Sequence, residues 1–144
     1  MSSGKSTEFR LKNNLVDLER VAQDLWTFCR DNGLSEEESA DVRLVVDEVV
    51  SNVIRHGYAD RGPHEIRVHA SIAGPELTLE IEDDARAFNP LEAPLPDVSL
   101  PVEEKQVGGL GILLTRSVMD RLEYRRSGDH NILRGVRVIR RASQ

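Results

Sequence analysis

The sequence predicts an α+β fold, a two-layer sandwich with a mostly antiparallel sheet and helices on one face. Three observations carry that expectation. Alternation of apolar and polar residues runs from Glu65 to Ile72 and again, after Gly74-Pro75, from Glu76 to Glu82. Helical spacing of apolar residues occupies the stretches before it, and a second alternating pair closes the chain. Strand-period and helix-period segments segregated in this way favour helices packed on one side of an antiparallel sheet.

The elements follow in order. Thr7 to Leu11 alternates weakly and reads as a first strand. Asn13 or Asn14 can cap a helix in which Leu15, Leu18, Ala22, Leu25 and Cys29 recur at helical spacing. Asn32-Gly33 stops it. Ser35-Glu36-Glu37-Glu38 fits a capping box and starts a second helix that ends near His56-Gly57. Ile66, Val68, Ala70 and Ile72 then face one way, and Leu77, Leu79 and Ile81 repeat the pattern after the Gly74-Pro75 turn. This is a hairpin with one buried face. Asn89 to Gln106 has four prolines and little periodicity, and loops this long are usually functional lids or disordered. Gly108-Gly109-Leu110-Gly111 precedes a third helix, Ile112 to Met119. Leu122 to Arg126 and Ile132 to Arg140 form a closing hairpin around Ser127-Gly128-Asp129.

At 144 residues the chain fits one domain. We assign residues 1–6 to a flexible N-terminus and 7–141 to the domain, with a lid at about 89–107. A net charge of −6 argues against a nucleic-acid or anionic-membrane surface. A single cysteine, Cys29, excludes an intrachain disulfide and a CxxC site. The start has no signal-peptide core, and no apolar run approaches a membrane span, so a cytoplasmic protein is expected.

Polar residues at apolar positions carry the chemistry. Glu48 and Asn52 stack four apart on one face of an otherwise apolar helix segment, bounded by Leu44 and Val45. Half-buried polar groups need partners, and no sequence neighbour supplies one. A bound metal or ligand is the expected partner. Glu48 suits a general base and the Asn52 amide oxygen a hard cation such as Mg²⁺; a solvent-facing stripe is the bland alternative. Asp83 continues the inward parity of Leu77, Leu79 and Ile81, so its carboxylate points to the core side at a strand end. Gly108, Gly109 and Gly111 stand before a helix, where bare backbone and free N–H groups can cradle an anion. Two decoys are set aside. Gly4-Lys5-Ser6-Thr7 imitates the end of a phosphate-binding loop but lacks the upstream strand and glycine. His64 and His69, five apart on a strand, would point to opposite faces as solvated residues.

These residues resemble a family pattern, that of the GHKL or Bergerat-fold ATPases, and within it the small bacterial anti-sigma-factor serine kinases. The resemblance covers about Phe9 to Arg140. Asp47 to Tyr58 looks like the N-box, Glu82 to Pro90 like the first glycine box, and Gly108 to Ile112 like the second. Tyr124-Arg125-Arg126 and Asn131-Ile132-Leu133 share the family's flavour. The resemblance implies ATP and Mg²⁺ as cofactors. Glu48 would be the catalytic base and Asn52 the Mg²⁺ ligand. Asp83 would accept from the adenine amino group, with Ala85 beside it. Gly108, Gly109 and Gly111 would face the phosphates, and Lys105 would contact them from the lid. It also implies protein-serine/threonine kinase activity on a STAS-type anti-anti-sigma partner, a sigma factor as second partner, and a homodimer. The family usually has glycines where this chain has Ala85 and Ala87. A methyl at Ala85 is expected to narrow the nucleotide site or demand a backbone shift. The alternative is therefore a nucleotide-weak or nucleotide-independent binding module that sequesters a sigma factor or switches partners. Histidine kinases fit less well, because they need a phosphoacceptor hairpin, and gyrase- or chaperone-type ATPases need transducer domains.

Overall fold

A computed structural model describes residues 4–60, 62–92 and 115–140. Five strands form one antiparallel sheet in the order β1-β2-β3-β5-β4. They are β1 (Lys5–Lys12), β2 (Glu65–Ala73), β3 (Glu76–Asp83), β4 (Arg121–Ser127) and β5 (His130–Val138). Helices α1 (Leu15–Asp31) and α2 (Glu36–Asn52) cover one face. The expected fold class is observed.

Each element ends where its local chemistry dictates. Asn14 caps α1 by accepting from the Asp17 amide at 2.8 Å. Leu18, Val21, Ala22, Leu25 and Cys29 form the buried stripe of α1. Leu15, expected on that stripe, is 47% exposed at the first position of α1. The α2 capping box is complete: Glu38 N donates to Ser35 Oγ and Ser35 N donates to the Glu38 carboxylate. The Gly74 turn takes φ 58°, a left-handed value that glycine adopts without strain.

The core is the meeting of two periods. Val42, Val45, Val46, Val49 and Val50 of α2 pack onto Ile66, Val68 and Ala70 of β2 and Leu77, Leu79 and Ile81 of β3. Fully burying each such side chain stabilises by roughly 1.5–3 kcal/mol. The register stacks Val68, Ile81 and Leu133 in one rung across three strands. Gly135 lies where a Cβ would come within 2.6 Å of Met119 Cε, so this gap lets the chain after the third helix settle on the sheet.

Two expectations shift. β1 starts at Lys5, where Lys5 pairs with Ile72 and Ser6 with Ser71. Lys5 and Ser6, assigned above to a flexible N-terminus and part of the phosphate-loop look-alike, are therefore strand. Of the third helix, 115–118 is helical among the described residues. Most of the 89–107 lid lies outside them. No described helix is long and apolar enough to cross a membrane.

Candidate active site

Asp83 completes the inward row of β3 and is 4% exposed. Its register partner on β5 is Asn131, so the apolar ladder ends in a polar rung. Burial pushes the Asp83 carboxyl above the usual carboxylate range; hydrogen bonds from Asn131 and the Ala85 amide, and the Arg126 charge, pull it back in part. Both of those bonds land on one oxygen: Oδ1 accepts from Ala85 N at 3.0 Å and from Asn131 Nδ2 at 2.8 Å. Oδ2 accepts from none of the described residues. A buried carboxylate with one oxygen saturated and one open suits an incoming N–H donor.

Glu48 and Asn52 lie on α2 as expected, both half-buried. The four valines flanking them are buried and fix the helix rotation. Among the described residues neither Glu48's carboxylate nor Asn52's amide has a hydrogen-bond partner. Directly after Asn52 the helix widens into a π-helical turn, Val53–Gly57. Such turns recur at functional sites because they re-aim side chains within a helix.

That turn is bolted to the Asp83 loop. Arg86 N donates to Gly57 O at 3.1 Å. A Cβ on Gly57 would stand 2.8 Å from the Ala85 Cβ. The Ala85 methyl, 4% exposed, thus fills the hollow left by Gly57. No non-glycine residue among those described has a positive φ, so neither Ala85 nor Ala87 occupies a conformation that demands glycine.

His64 departs from the expected solvated strand residue. It precedes β2 and is clasped between Asp60, at 2.9 Å from Nε2, and Asp84, at 3.2 Å from Nδ1. Its ring stacks on Tyr58 with centroids 4.1 Å apart. Hydrogen bonds to Asp60 first and Asp84 second raise the His64 pKa. Burial alone would raise Asp84, but contacts with His64 and Tyr58 outweigh it and hold the carboxyl below its usual range. Asn13 latches the same loop through Gly62 O and His64 N. The 58–64 loop therefore braces Asp84, next to Asp83. His69 stays on β2, between Glu8 and Glu80 in register.

The long loop begins on a firm footing. Leu91 N donates to Asn89 Oδ1 at 2.9 Å, and Arg116 donates to the Pro90 and Leu91 carbonyls. Lys105, Gly108, Gly109 and Gly111 lie outside the described residues. Among the described residues no cluster of three His, Cys, Asp or Glu is set to hold a metal. Mg²⁺ commonly binds through one or two protein oxygens plus substrate phosphates, so the Asn52 amide is compatible with that mode.

Sequence reasoning assigned no role to Asn131. Its amide oxygen accepts from Phe88 N, Tyr124 Oη and Arg126, and its nitrogen donates to Asp83 Oδ1 and Arg86 O. No sequence period reveals this hub, because it needs the pairing of β3 with β5.

Comparison with known proteins agrees with this geometry. Residues 11–136 match the histidine kinase-like ATPase domain. The chain is 30% identical over 147 residues to an anti-sigma F factor of Clostridium novyi, covering 96% of this chain and 94% of that one. It is also 30% identical over 90 residues to the serine/threonine-protein kinase BtrW of Bordetella bronchiseptica, covering 62% of this chain but only 63% of that kinase. In fold it resembles the crystal structure of the RsbU and RsbW domains of Rv1364c from Mycobacterium tuberculosis, with TM-score 0.70 and 15% identity, covering 97% of this chain and 34% of that one. With its Asp83 rung, its polar α2 stripe and a match across almost its whole length, the chain belongs to the histidine kinase-like (GHKL) ATPase family, among the relatives of the anti-sigma F factors.

Proposed function

We propose that this chain is a cytoplasmic anti-sigma factor that uses ATP and Mg²⁺ to phosphorylate a serine on a STAS-type anti-anti-sigma partner. The observation that carries the reading is the division of labour at Asp83. Oδ1 is held by the protein and Oδ2 is left to accept from an adenine amino group. Asn52 would hold Mg²⁺ through its amide oxygen. Glu48, four residues earlier on the same helix face, would accept the proton of the serine hydroxyl. Its carboxylate is half-buried and uncommitted among the described residues, as a general base must be. The bound nucleotide supplies the transferable phosphoryl group, and the protein's contribution is positioning and charge stabilisation. By analogy with the family, Gly108, Gly109, Gly111 and Lys105 would serve the phosphate end.

The binding-module alternative was motivated by Ala85 and Ala87. Its support weakens, because the Ala85 methyl packs on Gly57 and neither alanine needs a glycine backbone. The test is phosphoryl transfer from labelled ATP·Mg²⁺ to STAS-domain proteins of the same organism, with Glu48→Gln alongside. The reading expects serine phosphorylation of one partner, reduced at least about 100-fold by Glu48→Gln. ATP-independent partner binding without any transfer would establish the binding module instead.

A further inference from the structure

We propose that Asn131 is the positioning residue that sets the base preference of this site, by holding Arg126 away from Asp83 so that Oδ2 stays open to a 6-amino purine. The inference rests on the nucleotide reading above and adds a residue and a mechanism to it.

Asn131 is 6% exposed and stands between a cation and a carboxylate. Arg126 donates to Asn131 Oδ1 at 3.1 Å and to Ala85 O at 2.8 Å. On the other side, Asn131 Nδ2 donates to Asp83 Oδ1 at 2.8 Å. The orientation of the amide is forced by its surroundings. Its oxygen faces three donors, on Phe88, Tyr124 and Arg126, and its nitrogen faces acceptors on Asp83, Arg86 and Ala85. A flipped amide would set N–H groups against a guanidinium and oxygen against a carboxylate. Among side chains of this size only an amide presents a donor and an acceptor fork at once, so the site calls for Asn at this register position.

Without the amide, the Asp83 carboxylate, which already feels the Arg126 charge, offers the guanidinium a strong acceptor. A charge-assisted fork between the two would occupy the oxygen the base needs. Arg126 is otherwise exposed, with the Ala85 carbonyl as its one remaining hydrogen-bond partner among the described residues. The same amide holds the backbone from Ala85 to Phe88, so its loss also frees the loop next to the base.

The test compares Asn131→Ala, Asn131→Thr and the double variant Asn131→Ala/Arg126→Met with the unsubstituted protein. The probes are ATP and inosine triphosphate, which differ at the purine 6-position: the first offers an amine and the second a carbonyl. The unsubstituted protein should prefer ATP. Asn131→Ala should lower the ATP-to-inosine-triphosphate affinity ratio at least about tenfold, and removal of Arg126 in the double variant should restore most of it. A general loss of structure cannot produce that rescue. Asn131→Thr suits a strand and carries the test if the alanine variant does not fold. A second readout needs no nucleotide: carbon-detected titration of Asp83 and amide exchange of Ala85 and Phe88. In Asn131→Ala both amides should exchange faster, and the Asp83 titration midpoint should move as Arg126 closes on it. An unchanged affinity ratio, or a double variant no better than Asn131→Ala, overturns the proposal. If the unsubstituted protein binds neither nucleotide, the ATP reading fails by itself. The Asp83 titration then decides whether Asn131 separates the two charges.

Discussion

The two ends of α2 treat their polar groups in opposite ways. At the N-terminal end the buried Glu38 and the half-buried Asp41 are committed, while Glu36 and Glu37 lie exposed in the first turn. Glu38 accepts from Ser35 N at 2.9 Å and from Arg140 N at 2.6 Å, and Asp41 pairs with Arg137 at 2.9 Å. Arg137 also donates to the Val118 carbonyl, which ties α2 to the third helix and to β5. At the C-terminal end Glu48 and Asn52 have no partner among the described residues, and the helix loosens into a π-helical turn. Asp83, on the strand whose loop packs on that turn, keeps Oδ2 uncommitted among the described residues. Buried polar groups left without protein partners are costly. Uncommitted polar groups gathered around one end of a helix are what the nucleotide site proposed above requires, although Ser39 Oγ, buried at the other end, also lacks a partner among the described residues.

The largest expected effect comes from breaking the committed end. Glu38→Ala removes the capping-box acceptor and the partner of Arg140 N together. It should lower unfolding free energy by about 2 kcal/mol in denaturant titration, with ATP affinity unchanged. Loss of ATP binding at matched folded fraction would show that the two ends are not separable. The contribution also has a sign in pH. Burial alone would raise Glu38, but its hydrogen bonds and the Arg137 charge outweigh burial and leave the carboxyl below its ordinary value. Its stabilisation is therefore present above the unfolded pKa and lost as pH falls through the folded one.

A smaller effect probes the joint between α2 and the Asp83 loop. Gly57→Ala sets two Cβ atoms 2.8 Å apart, and neither belongs to a flexible side chain. It should cost about 1–2 kcal/mol by overpacking. Adding Ala85→Gly should recover most of that loss, because the methyl then sits on the other side of the same contact. Additive losses in a double-mutant cycle would mean the contact does not couple the turn to the loop.

The smallest effect concerns His64. Asp60 and Asp84 raise its pKa in the folded state. The folded protein therefore holds the His64 proton more tightly than the unfolded chain. The stabilisation is fully present below the unfolded value and fades as pH rises through the folded one. His64→Gln should flatten the stability-against-pH curve in that window. An identical curve for the variant would separate the clasp from stability.

Legibility in the sequence follows the range of the interactions. The capping box at Ser35, the Gly74 turn and the alternation of β2 and β3 are local, and each was readable from its neighbours. The inward aim of Asp83 followed from parity alone. Asn131 was not readable, because its meaning depends on β5 pairing with β3 across 48 residues of chain. His64 was misplaced because strand period was extended one residue past the strand's start, and only the Asp60 to His64 spacing hinted at a clasp. The packing of the Ala85 methyl was not readable because its neighbour, Gly57, comes from a different element. The family resemblance supplied the fold and the family but not this packing.

The most direct test of an open, ligand-ready end of α2 is titration calorimetry of ATP·Mg²⁺ into this protein and into Asn52→Ala, with the unfolding midpoint of each recorded. The account predicts saturable binding that weakens at least about tenfold in the variant, with an unchanged unfolding midpoint because Asn52 has no side-chain partner to lose among the described residues. Equal affinity in both proteins, or no binding by the unsubstituted one, would contradict it.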